Sequence, residues 1–266
     1  MKIIFFGDVI GKTGRRGIAK VLPALQEKYE ADIVIANAEN LAHGYGITEK
    51  TIEEMATAGV TFFTSGNHIW KKKEGITMIS LRDTNILRPA NYPENNPGYG
   101  YKIVEIGSRK LLIINLLGRV FMREDINCPF LAFDEILKKI PIESVHGVFV
   151  DFHAEATSEK YALFRYIDGR ASTMVGTHTH VATADTQLTQ KGTGYITDVG
   201  MNGPLNSVIG HKTEQIVQRF LSQIDTIHEV EEEGPCLINC VFVEIDPSTR
   251  KTIKIEHITQ NVNLDD

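Results

Sequence analysis

Short apolar runs recur along the chain, and each is closed by a polar cluster. KIIFF leads into Gly7-Asp8, IVIANA into Glu39-Asn40, VTFFTS into Gly66-Asn67-His68, and ASTMV into Gly176-Thr177-His178-Thr179-His180. Runs this short, rich in β-branched and aromatic residues, predict buried strands. The first three strands are expected at Ile3–Phe6, Asp32–Ala36 and Val60–Thr64, with helical stretches RRGIAKVLPALQEKYE and TEKTIEEMATAG between them. Thr48 suits the N-cap of the second helix, and Gly59 lies just past its end. Strand, helix, strand, helix, strand at this spacing predicts parallel pairing and an α/β class.

Beyond Ser65 the pattern is less regular. RPANYPENNPGYGY, Arg88 to Tyr101, reads as an irregular loop, and YKIVEIG with KLLIINLLG reads as a hairpin. Arg119 to Pro129 is polar and aperiodic, so a small lid or insertion is expected around 88–130. A helix at Leu131–Ile140 and a strand at Gly147–Phe152 resume the alternation. After His180 antiparallel strands are expected, with one helix near Lys212–Ile224 and a final hairpin around Pro247-Ser248-Thr249. With no internal repeat and no linker, 1–266 is expected to be a single domain.

Composition narrows the function. Hydrophobic residues make up 42% of the chain, enough for a sizeable core. Lys and Arg number 28 against 34 Asp and Glu, a net charge of −6, which argues against an extended nucleic-acid surface. No stretch has the length of a membrane span, and the start has no signal-peptide pattern. Cys128, Cys236 and Cys240 show no metal-finger spacing. The last two sit at i, i+4 on a strand and read as core thiols, so a cytoplasmic location is expected. An ordinary hydrophobic content and a middle insertion able to dock make a homo-oligomer the expected state.

The polar clusters fall where open α/β sheets build their sites, at the carboxyl ends of strands. They supply carboxylates, carboxamides and imidazoles, ligands for hard or borderline divalent metals. Each has a plain alternative. Asp8 and Glu39-Asn40 can cap helices, Gly-Asn is a common turn pair, and His153, after the strand Gly147–Phe152, can be a satisfied core histidine. The conjunction alters the balance. Successive strands end in Asp, Glu-Asn, Asn-His, His and His-x-His, a set that suits two cations sharing a bridging carboxylate. Two divalent cations outweigh Asp8, Glu39 and a bridging hydroxide, so the site stays positive and can attract a phosphate despite the acidic chain.

FFGDVIGKTGR, ANAENLAHGYGIT, TSGNHIW, DFHAEATSEK, VGTHTHVATAD and YITDVGMNGP, in that order over nearly the whole chain, resemble the calcineurin-like metallophosphoesterases, and more closely the YmdB branch described as cyclic-nucleotide phosphodiesterases. The resemblance implies an α/β/β/α sandwich of two mixed sheets flanked by helices. It implies a first metal on Asp8, Glu39, Asn40 and His180 and a second on Glu39, Asn67, His153 and His178, with Glu39 bridging. His68 would be the acid or the stabiliser of the transition state. The implied substrate is a small phosphodiester, with 2′,3′-cyclic nucleotides favoured, hydrolysed by a metal-activated hydroxide, with a signalling or regulatory role. Two departures from the wider superfamily stand out. Asp8-Val9-Ile10 replaces Asp-x-His, and Glu39 with Asn40 replaces a bridging Asp. The resulting oxygen-rich first site favours iron or manganese over zinc.

Asp198, in YITDVGMNGP, is either a support for a ligand histidine or a satisfied turn carboxylate, and Thr179 and His43 are candidates for substrate contact. A P-loop in Gly7 to Thr13 has three residues between its glycines where four are needed. A non-catalytic metal-bound regulatory scaffold would be expected to lack or block His68, which is present. A phosphomonoesterase or protein phosphatase is a further alternative, and the acidic balance with no evident basic groove disfavours a protein phosphatase acting on phosphoserine.

Overall fold

Period-two alternation in the strands builds the molecule in layers. The computed structural model describes residues 1–225 and 227–265. In β1 (Lys2–Phe6), Ile4 and Phe6 face one side, and Ile3 and Phe5 face the other. The outer side meets Ile18, Val21, Leu22 and Leu25 of α1 (Gly11–Tyr29). β2 (Ile33–Asn37) follows, then α2 (Glu49–Thr57), whose N-cap Thr48 forms a reciprocal capping box with Thr51. β3 (Phe62–Thr64) is shorter than the apolar run, because the Val60 N–H still donates to Met55 O at the end of α2. A 3₁₀ turn over Asn67–Lys71 leads to α3 (Lys73–Ile79).

The chain then crosses to a second sheet. β4 (Tyr101–Ile106) and β5 (Arg109–Leu117) form the expected hairpin. Around them, 88–100 and 118–128 remain largely irregular. Next come α4 (Pro129–Lys139), with Pro at its first turn, β6 (Gly147–His153), α5 (Thr157–Ile167) and β7 (Thr173–Thr177). β8 (Gln187–Leu188), β9 (Gly194–Ile196) and β10 (Gly203–Pro204) are short; α6 (Thr213–Ser222), β11 (Cys236–Ile245) and β12 (Thr252–Val262) complete the order.

Sheet one runs β10-β11-β1-β2-β3, with β12 on β11; sheet two runs β4-β5-β6-β7-β9-β8. Both are mixed. β1, β2 and β3 are parallel, and β11 is antiparallel to β1. β5, β6, β7 and β9 are parallel, so the expectation of only antiparallel strands after His180 is corrected at β9, while β8–β9 and β11–β12 are antiparallel. Ile3, Phe5, Ile35, Val241 and Val243 of sheet one pack on Leu111, Ile113, Phe149 and Val175 of sheet two, with the Phe5 and Phe149 ring centroids 5.4 Å apart. Phe133, Ile136, Leu163, Phe164 and Ile167 from α4 and α5 cover the far side of sheet two. The result is the four-layer α/β/β/α sandwich. Among the described residues no helix is long and apolar enough to cross a membrane.

Cys236 and Cys240 share the outer face of β11 with Ile238 and Phe242. Burial pushes each thiol up to about 12, so neither forms a thiolate at neutral pH. Cys128 is half-buried. In a thiol titration of native protein at pH 8, one cysteine should react readily and the other two only after denaturant is added. Three fast thiols would contradict this packing.

Candidate active site at the seam of two sheets

Both sheets deliver polar residues to one place because their parallel strands end there. Asp8 follows β1, Glu39 and Asn40 follow β2, Asn67 and His68 follow β3, His153 ends β6, and His178 and His180 follow β7. A buried carboxylate ties these ends together. Asp151 of β6 accepts hydrogen bonds from Asn37 Nδ2 at 3.1 Å, Thr64 Oγ1 at 2.5 Å and Thr177 Oγ1 at 2.8 Å. Two of these donors are in sheet one and one is in sheet two. Burial raises the Asp151 carboxyl to about 6 against the pull of Thr64, His153 and Thr177. Asn37 also accepts the Glu39 N–H at 3.2 Å, which sets the direction of the turn after β2.

Glu39 stands at the centre. Its Oε1 lies 3.1 Å from His153 Nε2 and 3.2 Å from His68 Nδ1, and its Oε2 accepts the His68 N–H at 2.9 Å. Although burial would raise its pKa, His153 and His68 hold it well below the usual carboxylate range. Gly66 permits this approach, since a Cβ there would meet Glu39 Oε2 at 2.3 Å and His153 Nε2 at 2.4 Å. His178 Nδ1 is 3.0 Å from His153 Nε2. Glu39, His153 and His178 thus bring three donor atoms within 4.8 Å of one another. Asn67, just after Gly66, has a buried Oδ1 with no hydrogen-bond partner among the described residues.

A second group adjoins the first. Asp8 is fully buried; its Oδ2 accepts the His178 N–H at 3.0 Å, and its Oδ1 has no hydrogen-bond donor among the described residues. Burial raises its pKa, opposed by His180 and His153. His180 Nε2 is 3.8 Å from Asp8 Oδ1 and 3.4 Å from the Asn40 amide. Asn40 also reaches Glu39 Oε1 at 3.5 Å through its Nδ2 and His68 Nδ1 at 2.8 Å through its Oδ1. Rotation of this amide would present its oxygen to a cation beside Glu39 and His180.

Each candidate histidine has one nitrogen occupied by a protein acceptor. His153 Nδ1 faces Thr177 Oγ1 at 2.9 Å, whose hydroxyl proton goes to Asp151. His178 Nε2 faces Glu155 at 3.1 Å, and His180 Nδ1 faces Ile209 O at 2.9 Å. The remaining nitrogens, His153 Nε2, His178 Nδ1 and His180 Nε2, turn inward, as they do where outer partners orient metal ligands. Burial and the nearby His153 lower His178 to about 3, so it is a neutral imidazole. In His153 the effect of burial is outweighed by Glu39 and Asp8, and its pKa rises to about 9. Two unpaired buried carbonyl or carboxylate oxygens, three oriented imidazoles and a central carboxylate are a donor set that fits two divalent cations.

The His-x-His segment has an unusual backbone. His178 and His180 have φ of +98° and +66°, a region that costs a non-glycine residue about 1–3 kcal/mol. On an extended strand both rings would face one side. Here the left-handed turns send His178 to the Glu39–His153 group and His180 to the Asp8–Asn40 group. Asp198 holds the segment by accepting from Thr179 N at 3.1 Å and Thr179 Oγ1 at 2.8 Å. It also pairs with buried Lys160 at 2.7 Å, and Lys160 donates to Thr177 O at 2.8 Å. Asp198 is therefore a satisfied turn carboxylate, and among the described residues it forms no hydrogen bond or ion pair with a histidine side chain.

A cavity of about 340 Å³ opens on this cluster, lined by Glu39, Asn40, His68, His178, Thr179 and His180 together with Ile10, Gly44, Tyr45, Glu155, Ile209 and His211. Asp8, Asn67 and His153 stand behind its lining. His43 is not in the lining; its Nδ1 is 3.5 Å from Glu232. Tyr45, Glu155 and His211 are the residues that strand-end reasoning misses. Glu155 had a signal, two residues after His153 in DFHAEAT, whereas Tyr45 and His211 lie in aperiodic loops. The Gly-rich start of α1 does not form a phosphate loop, because the Gly11 N–H donates to Asn40 O at 3.0 Å and the Ile10 N–H to Asn202 O at 2.8 Å.

The family described as YmdB-like protein matches residues 4–258. The chain is 44% identical over 261 residues to a 2′,3′-cyclic-nucleotide 2′-phosphodiesterase of Bacillus subtilis, covering 98% of this chain and 97% of that one. It is similar in structure to a novel phosphatase of Mycoplasma pneumoniae, with a TM-score of 0.93, 41% identity and coverage of 99% and 94% of the two chains. A hypothetical protein of Thermus thermophilus gives a TM-score of 0.91 at 36% identity, with 98% and 100% covered.

Two outcomes are expected of this donor set. Asp8→Asn and His178→Ala should each lower metal content measured by elemental analysis, and a full complement in both would contradict the assignment. The second concerns protons. The folded His153 pKa of about 9 lies above its ordinary 6.5, so its contribution to stability in metal-free protein is fully present below 6.5 and is lost as pH rises through about 9. A cation needs the neutral ring and must displace that proton. Calorimetric manganese affinity should therefore rise between pH 7 and pH 9, with proton release at the lower pH. A flat profile would be inconsistent with a protonated His153.

Proposed function

Since the chain belongs to the YmdB-like family, we propose that it is a metal-dependent phosphodiesterase that opens 2′,3′-cyclic nucleotides at the 2′ ester. The observation that carries this reading is the division of the donors into two adjoining groups with Glu39 between them, at the base of a small cavity. Two divalent cations bound there would lower the pKa of a water and offset charge on the phosphoryl oxygens. Asp8, Glu39, Asn40 and His180 would hold one, and Glu39, Asn67, His153 and His178 the other. Oxygen donors dominate the first group, which supports iron or manganese over zinc.

His68 borders the cavity with its Nδ1 turned to Asn40 Oδ1 and Glu39 Oε1. With the Asn40 amide turned so that its oxygen meets a cation, its Nδ2 would donate to His68 Nδ1, which leaves the ring N–H on Nε2, the nitrogen free to address substrate. In the reaction a water that has given one proton to solvent bonds through its oxygen to phosphorus, the P–O2′ bond breaks, O2′ takes a proton from His68, and solvent restores the proton to His68. The 3′ ester stays intact, and the product is a nucleoside 3′-phosphate. The cavity is near the lower end of the range for small-ligand sites, about 300 Å³ and above, which suits a mononucleotide better than a phosphoprotein loop. Removal of a cyclic-nucleotide signal is the regulatory role that fits this chemistry. Three free cysteines suit a reducing cytoplasm, and the exposed Phe220 and Leu221 of α6 support a homo-oligomer.

Elemental analysis and hydrolysis of 2′,3′-cyclic AMP and bis-p-nitrophenyl phosphate with manganese, on one sample, test the reading together. About two metals per chain are expected, with turnover abolished by chelator. His68→Ala should keep its metals and lose roughly 10²–10⁴-fold in rate. A full rate in that variant would remove its role, and metal-loaded protein inert toward both diesters would sink the proposal.

A further inference from the structure

The cavity has a wall with no part in holding metals. Tyr45 meets His68 edge-on, with ring centroids 4.9 Å apart at 72°, and lies 6.0 Å from the His211 ring at 34°. Both line the cavity, with Ile10, Gly44 and Ile209 beside them. The wall is rigid. The loop carrying Tyr45 closes through Ala42 N–H to Gly46 O at 2.9 Å and Tyr45 N–H to Ala42 O at 3.2 Å. Gly44 and Gly46 have φ of +84° and +76°, and side chains there would strike Val230 and Lys72. His211 is held by paired backbone hydrogen bonds with Val208 at 2.9 and 3.0 Å.

From this geometry we propose that Tyr45 and His211 form the nucleoside-side wall of the site, with the Tyr45 ring stacking on the base. The inference rests on the phosphodiesterase reading. If O2′ leaves beside His68, the carbon that carries it is bonded to the carbon that carries the base. The base must then lie within a few ångströms of whatever adjoins His68, and that neighbour is Tyr45. Aromatic stacking tolerates every base, because each has a π-face, so the wall would discriminate nucleotides from other phosphodiesters and discriminate weakly among bases.

The test compares metal-loaded wild type, Tyr45→Leu, Tyr45→Phe and His211→Ala on 2′,3′-cyclic AMP and on methyl riboside 2,3-cyclic phosphate, which lacks a base. The kcat/KM ratio of the two substrates should favour cyclic AMP by at least about fivefold in wild type, fall toward one in Tyr45→Leu and be restored in Tyr45→Phe. A wild-type ratio near one, or a ratio unchanged in Tyr45→Leu and His211→Ala, overturns the wall. If Tyr45→Leu does not fold, Tyr45→Met and His211→Ala are read by the same ratio. Equilibrium dialysis with adenosine 3′-monophosphate and methyl riboside 3-phosphate separates the two claims. A binding preference lost in the Tyr45 variants without turnover of either diester would sink the hydrolase reading and keep the wall. Turnover without any preference would do the reverse.

Discussion

The Asp151 carboxylate is the interaction on which the site's geometry depends. It is a buried acceptor reached by donors from three other strands, and those strands belong to both sheets. The apolar layer between the sheets, with Phe5 against Phe149, brings them together but is non-directional. Hydrogen bonds to one carboxylate have direction, and they lock the sheets at the end where the strands stop. From there the order passes outward, through Thr177 to His153 and through Asn37 to Glu39. Removing an acceptor from such a network leaves several buried donors unpaired, a cost of about 1–3 kcal/mol for each.

A second buried charge does related work on the other flank. Lys160 and Asp198 form an ion pair that hardly contacts solvent. A buried pair of this kind is weak evidence for stability, because desolvation offsets much of the attraction. Its use here is geometric: Lys160 grips Thr177 O and Asp198 grips Thr179, on either side of His178. Between them they keep a backbone that His178 and His180 would not adopt unaided. The strain is what directs the two rings into different groups.

The strand-end clusters were legible because each follows an apolar run with strand periodicity, and periodicity survives without an alignment. Their convergence was inferable from the α/β rule for site placement. What stayed hidden depends on tertiary contact. Asp151 sits inside VFVDFH like any strand residue, and nothing local says that three donors will reach it. β9 pairs in parallel with β7 without an intervening helix, which defeats the usual signal for a parallel crossover. α5 buries Glu159 and Lys160 along with Leu163, Phe164 and Ile167, so its polar positions mask a buried face. Tyr45 and His211 belong to loops whose packing against Val230 and Val208 has no sequence period to announce it.

The donors are spread from Asp8 to His180 along the chain. A ribosome exposes the first of them long before the last, and both sheets must be in place before any pair of groups is complete. Completion of the donor set is therefore a late event in the life of a new chain. Until then Asp8 and Glu39 are ordinary carboxylates of an unfinished molecule. The arrangement ties completion of the donor set to the end of folding, because no partial chain contains it.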